Sequence, residues 1–236
     1  MAAAAAGVVI VIDAEIWAWS ASAHYSGSPD AHSVGTLISM SGELLHSKGE
    51  EGARRAKHWL DATTRANARW VNPNPTAIPK LTFEWAQGST FSYDLGGILI
   101  GGDLDGQEFL VESKFYQTDG DQGTLYVEYL AKCYRAYVTR PDRCDNFMWI
   151  TWHPFSLKKW AKLCSEGEVR SAVLAYPEKA LGCEAEEAAS QVDDEACKAV
   201  AERLWLILLS ERQEDLVISK KHLGWIRERE TAEEGF

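Results

Sequence analysis

The stretch from Phe91 to Tyr116 constrains the fold of this chain more tightly than any other part of the sequence. Two runs of strand-forming residues, Phe91–Ile100 and Glu108–Tyr116, flank Gly101-Gly-Asp-Leu-Asp-Gly106, which is turn chemistry, so residues 91–116 are expected to form a β-hairpin. Along the second run the side chains alternate, with Phe109, Val111, Ser113 and Phe115 pointing one way and Leu110, Glu112 and Lys114 the other. A carboxylate and an ammonium therefore emerge side by side from an otherwise apolar strand. The hairpin brings Asp94 alongside this end of the second strand. Whether Asp94, Glu112 and Lys114 share one face depends on the parity of the turn and on any bulge, and that register stays open at this level.

Around the hairpin, Val8–Ile12 and Gly35–Met40 read as short strands joined by a Ser/Gly/Pro-rich loop over Ser26–Ser33. From Lys48 to Arg69 the period is helical, with Ala53, Ala56, Leu60 and Thr64 near one face, and Asn72-Pro-Asn-Pro75 with Pro79 stops the helix. Leu81–Trp85 is a further strand, Leu125–Val138 returns to a helical period through Leu125, Tyr129, Cys133 and Tyr137, and Phe147–Trp152 is again a strand. The order helix, three strands, helix, strand implies an α/β fold in which helices flank a mixed β-sheet. Residues 1–163 are expected to form this domain, with its core at about 45–155. Residues 164–236 are expected to be an acidic, mainly helical C-terminal extension. In it, Glu184–Glu202 reads as a helix with a solvated face, continued by the all-round apolar Leu204–Leu209, which has to be buried against the core, a second copy or a partner.

The net charge of −11 argues at first against a polyanionic partner, since neutralised phosphates supply most non-specific nucleic-acid affinity. The acidity is uneven. Residues 1–163 carry a net −3 and residues 164–236 a net −8, so the first two-thirds are compatible with a nucleic-acid groove. Five widely spaced cysteines without a C-x-x-C pair read as buried or incidental thiols of a reducing, cytoplasmic environment rather than a zinc or iron–sulfur site. The N-terminal apolar stretch has no basic flank and is interrupted by Asp13 and Glu15, so neither a signal peptide nor a membrane span is expected.

Phosphodiester hydrolysis needs a divalent cation on the scissile phosphate, an activated water and neutralisation of developing charge. Carboxylates are the natural hard ligands for magnesium, which keeps several waters of its own. Asp94, a hydrophobic strand, a turn and then Val111-Glu-Ser-Lys114 resemble the PD-(D/E)xK, restriction-endonuclease-like superfamily. Its core of helix, three-stranded meander, helix and further strand has the order read above. Gln122-Gly-Thr-Leu-Tyr126 resembles the Q-x-x-x-Y element of the RecB-like branch, whose spacing sets both side chains on one helix face.

The resemblance implies a magnesium-dependent nuclease, with manganese as a substitute, acting on nucleic acid, DNA in the first place, in DNA processing or in defence against foreign DNA. It makes Asp94 and Glu112 metal ligands, the carbonyl of Ser113 a third, Lys114 the catalytic cation, and Gln122 and Tyr126 contributors from the following helix. The first helix departs from the family, because Gly49-Glu-Glu-Gly-Ala53 places alanine where some branches carry glutamate. Glu50 or Glu51 is the nearest substitute. An alternative reading is a catalytically inactive nuclease-fold module that serves as a binding or assembly subunit, or self-associates through its C-terminal region. Asp103 and Asp105 read as turn-capping residues, His153 as packed or exposed, and Lys132, Arg135, Arg140, Arg143, Lys158, Lys159 and Lys162 as basic clusters able to track phosphates or simply to solvate a surface.

Overall fold

A computed structural model describes residues 49–116 and 120–234. The strands expected at Val8–Ile12 and Gly35–Met40 and the loop between them lie outside the described residues.

The first helix, α1 (residues 49–63), buries Ala53, Ala56 and Leu60 against one face of the sheet. It is shorter than its apparent period, because the segment expected to continue it is a strand, β1 (Ala66–Val71). Polar side chains turn the chain at this point. The Thr64 hydroxyl donates to the Leu60 carbonyl at 2.7 Å and accepts from the Ala66 N–H at 3.0 Å, while the Asp61 carboxylate accepts from the Ala68 N–H at 2.8 Å. After the Asn72–Pro75 turn come a short helix, α2 (Ile78–Leu81), and a small ribbon of β2 (Thr82–Glu84) paired antiparallel with β3 (Thr90–Ser92).

The run Phe91–Ile100, expected to be one strand, is divided. β3 ends at Ser92 and a separate strand, β4 (Leu95–Leu99), joins the main sheet. The break falls at Tyr93, whose N–H is held by the Leu81 carbonyl at 3.0 Å and whose ring is fully buried among Phe83, Phe91, Tyr129 and Phe147. The expected hairpin then forms between β4 and β5 (Glu108–Lys114). In its turn Asp105 accepts from the Gly101 N–H at 2.7 Å, a backbone cap of the kind expected there, and Gly101, Gly102 and Gly106 take the positive φ angles the turn needs.

The chain continues through α3 (Gln122–Thr139), β6 (Asn146–Thr151), α4 (Glu166–Ala175), α5 (Pro177–Ala180), α6 (Ala185–Gln191) and α7 (Asp194–Ala201). It then forms β7 (Leu204–Leu208), α8 (Glu211–Glu214) and α9 (Lys220–Glu234). The five-stranded sheet has the order β1-β4-β5-β6-β7, antiparallel as far as β5 and parallel from β5 to β7, so the fold is α/β with a mixed sheet flanked by helices. α1 covers one face, while α3, with α4 and α7 behind it, covers the other.

Leu204–Leu208 corrects the expected helical continuation. The segment is a strand paired with β6, and its residues alternate between the two cores: Leu204 and Leu206 on the α3 side, Trp205 and Ile207 on the α1 side. A parallel strand covered on both faces is apolar all round, as a buried helix is, so the local pattern does not tell the two apart. The C-terminal region is thus not only helical, and residues 164–209 contribute to the same core as the first two-thirds. Among the described residues no helix is long and apolar enough to cross a membrane. All five cysteines are free thiols, three of them buried.

Candidate functional site

β5 lies at the centre of the sheet, and its alternation has two consequences. Glu112 and Lys114 face α3 together with Leu110, whereas Ser113 faces α1. The register left open by the sequence is decided by β4: Leu95 pairs with Val111, and the Asp94 N–H donates to the Val111 carbonyl at 3.0 Å, which sets Asp94 beside Glu112. Its carboxylate oxygen Oδ2 accepts from both the N–H (2.7 Å) and the hydroxyl (3.0 Å) of Ser113. Asp94 is therefore tied to the residue between Glu112 and Lys114, and the structure brings Asp94, Glu112, Ser113 and Lys114 together.

Glu112 is only 6% exposed. Its Oε1 lies 2.8 Å from Lys114 Nζ, and a second ammonium, Lys132 from α3, approaches Oε2 at 3.4 Å and Oε1 at 3.5 Å. Burial pushes the Glu112 carboxyl up, but the two lysines outweigh it and hold the group below the ordinary glutamate range. Asp94 moves the other way. Loss of hydration and then the negative charge of Glu112 push it up to about 6, against the opposing pull of Lys114 and the Ser113 bonds. Burial pulls the Lys114 ammonium down, yet Glu112 and Asp94 more than compensate and raise it above the usual lysine value. The site is thus an interacting carboxyl pair whose two members are driven in opposite directions, a pattern that buried functional sites favour.

Gln122 and Tyr126 do not act alike. Gln122, fully buried at the start of α3, accepts from the Thr151 hydroxyl at 2.6 Å and donates to the His153 carbonyl at 3.4 Å. Thr151 is the β6 residue paired with Lys114, so Gln122 is placed at the same end of the sheet as the carboxylates. Tyr126 instead turns its hydroxyl to the Leu163 carbonyl at 3.1 Å and packs its ring on Trp149 and Phe155. It builds the floor of the site rather than its polar wall, since the Trp149 ring lies 5.9 Å from the Lys114 ammonium.

α1 presents a glycine here. A Cβ at Gly52 would sit 3.2 Å from Phe115 Cβ and 3.4 Å from Ser113 Oγ, so the helix approaches β5 closely where this residue has no side chain. Of the two acids considered as substitutes, Glu51 is held by Arg54 at 2.7 and 3.0 Å, and Glu50 is exposed. Ala53 is core. Next to this contact Arg55 stacks on Phe115 (4.3 Å) and Trp152 (5.6 Å) and makes a forked pair with Glu214 of α8, at 2.6 to 3.0 Å. The Trp152 indole N–H also donates to Glu214.

The other candidates are dispersed. His153 Nδ1 is 2.8 Å from the Pro154 carbonyl, Arg143 is nearly buried and bonds Lys80 O and Glu108, Arg140 pairs with Asp142, and Lys159 pairs with Glu168. Lys132 is the site residue that the sequence showed only as part of a basic cluster. Its signal is positional: three residues after Tyr129, it adjoins the apolar stripe of α3, where a lysine has to find a partner on the sheet.

Among the described residues no three His, Cys, Asp or Glu side chains converge as a metal-binding group. Two hard carboxylates and a neighbouring backbone carbonyl are still a sufficient donor set for a cation that keeps its own waters and takes phosphate oxygens as ligands. Comparison of the chain with protein-family models, with curated proteins and with solved structures finds no match.

Proposed function

We propose that the chain is a metal-dependent nuclease of the PD-(D/E)xK type that hydrolyses phosphodiester bonds of DNA. The observation that carries this reading is the junction of Asp94, at the entrance of β4, with Glu112 of β5, linked through Ser113, with Lys114 2.8 Å from Glu112. The order of α1, β1, β4, β5, α3 and β6, a helix, an antiparallel meander, a helix and a parallel strand, supports a restriction-endonuclease-like core. The donor chemistry fits a magnesium ion: two interacting carboxyls, one of them raised by burial and then by the charge of the other, gain most from a divalent counter-charge.

Asp94 and Glu112 would hold that ion, with the Ser113 carbonyl as a further donor. The ion would polarise the phosphate and make a bound water a competent nucleophile near neutral pH. Lys114, beside Glu112, would act as a hydrogen-bond donor and positive charge toward the water and the phosphate. Gln122 positions Thr151 beside Lys114, and Tyr126 supports Trp149 beneath it.

The test is cleavage of supercoiled, linear and single-stranded DNA by the pure protein with Mg²⁺ or Mn²⁺. Products with 5′-phosphate ends are expected, and Asp94→Ala, Glu112→Ala and Lys114→Ala should each lower the rate by about 100-fold or more while leaving a folded protein. Absence of cutting of any DNA or RNA topology, or wild-type cutting by Lys114→Ala, removes the reading. The reading as an inactive nuclease-fold binding module is favoured by one observation, the glycine and alanine that α1 offers where an acid would complete the site. It calls for metal uptake without cleavage.

A further inference from the structure

Two carboxylates, Asp94 and Glu112, stand in balance with two ammoniums, Lys114 and Lys132, before any metal enters, and both ammoniums are paired with Glu112. A divalent cation between the two carboxylates disturbs that balance, and one ammonium has to give up its hold on Glu112. Lys114 is bonded at 2.8 Å from the same strand, whereas Lys132 reaches across from α3 at 3.4 and 3.5 Å. Lys132 is the looser partner. Its side chain is only 18% exposed, and an ammonium so far removed from water is costly to leave without an anion. A phosphodiester brought in with the metal carries the charge that would satisfy it.

We propose that Lys132 is a positioning residue with two opposed effects: it restrains Glu112 against premature cation binding, and it pairs with a nucleic-acid phosphate once the cation has taken Glu112. The inference rests on the nuclease reading and adds to it a second cation, contributed by the helix that follows the catalytic strand. A lysine that merely ties α3 to β5 would weaken every function on removal. A lysine in this dual role gives effects of opposite sign.

The experiment is calorimetric titration of the metal-free protein with Mn²⁺, followed by anisotropy measurements of a short fluorescent DNA duplex with Ca²⁺ in place of Mg²⁺ over a range of salt. The proteins are wild type, Glu112→Gln, Lys132→Gln and Lys132→Arg, each checked for a cooperative melt. Wild type should take up Mn²⁺ and Glu112→Gln should lose it. Lys132→Gln should bind Mn²⁺ tighter, by roughly three- to tenfold once a like charge is removed. The same variant should bind duplex more weakly, with a slope of log affinity against log salt shallower by about 1. Lys132→Arg should keep the wild-type slope. Unchanged or weaker Mn²⁺ affinity in folded Lys132→Gln, or an unchanged salt slope, overturns the role of Lys132 and leaves the metal reading standing. Failure of wild type to take up Mn²⁺ overturns the metal reading itself, and the inference with it.

Discussion

Asp94 carries a cost that its neighbours do not. Its carboxyl is raised to about 6 in the fold, against 3.8 for an ordinary aspartate, so the folded protein holds the proton more tightly than the unfolded chain. The cost of ionising it sets in as pH rises from about 4 and is complete above about 6. Glu112 has the opposite sign. Its group is lowered from 4.5, so the stability from its lysine pairs is present at neutral pH and is lost as pH falls below the ordinary glutamate range. Metal-free Asp94→Asn should therefore be more stable than wild type at pH 8, by up to about 3 kcal/mol, and the difference should close toward pH 4. Thermal melts of both proteins across this range measure it. An equal difference at pH 4 and pH 8 would show that ionisation of Asp94 is not the source.

Among the elements, β1 and β4 show how a close approach selects a residue. A Cβ at Gly97 would lie 2.0 Å from the Asn67 carbonyl oxygen and within 3 Å of the Ala68 backbone, so the two strands can pair here only around glycine. Gly97→Ala is expected to cost about 3 kcal/mol or more, because the obstacle is backbone and cannot swing aside. Since β4 also carries Asp94 at its entrance, metal uptake should fall together with stability. Chemical denaturation and Mn²⁺ titration of this variant test both parts, and a midpoint within error of wild type would contradict the packing argument. Alternation made β5 readable as a strand presenting Glu112 and Lys114 together, and the polar turn made the hairpin readable. The break at Tyr93 was not readable, because two consecutive apolar strands and one long strand have the same local pattern.

At the scale of the molecule, the C-terminal region is bound back to the first helix beside the site. Arg55 of α1 and Glu214 of α8 form a forked pair with side chains 15% and 18% exposed, and Trp152 shares the same carboxylate. Glu214→Ala leaves Arg55 without its partner and the indole N–H without its acceptor, and should destabilise the protein by about 3 kcal/mol. Glu214→Gln keeps an acceptor for Trp152 and should cost less. Unfolding by denaturant ranks the two variants, and equal losses would show that the acceptor kept by glutamine contributes nothing and that the whole effect lies in the charge pair. What the sequence determined by itself was local: the periods of α1, α3 and β5, the turn at Gly101–Gly106, and the placement of Glu112 and Lys114 on one side of one strand. These follow from the repeat geometry of a single segment. Only the tertiary structure decided that Asp94 sits beside Glu112, that Lys132 comes to the same carboxylate, that residues 66–71 leave the helix to form an edge strand, and that Leu204–Leu208 is a strand. Each of these depends on which distant segment supplies the partner for a backbone N–H, a charge or an apolar face, and a period read along one segment holds no information about that partner.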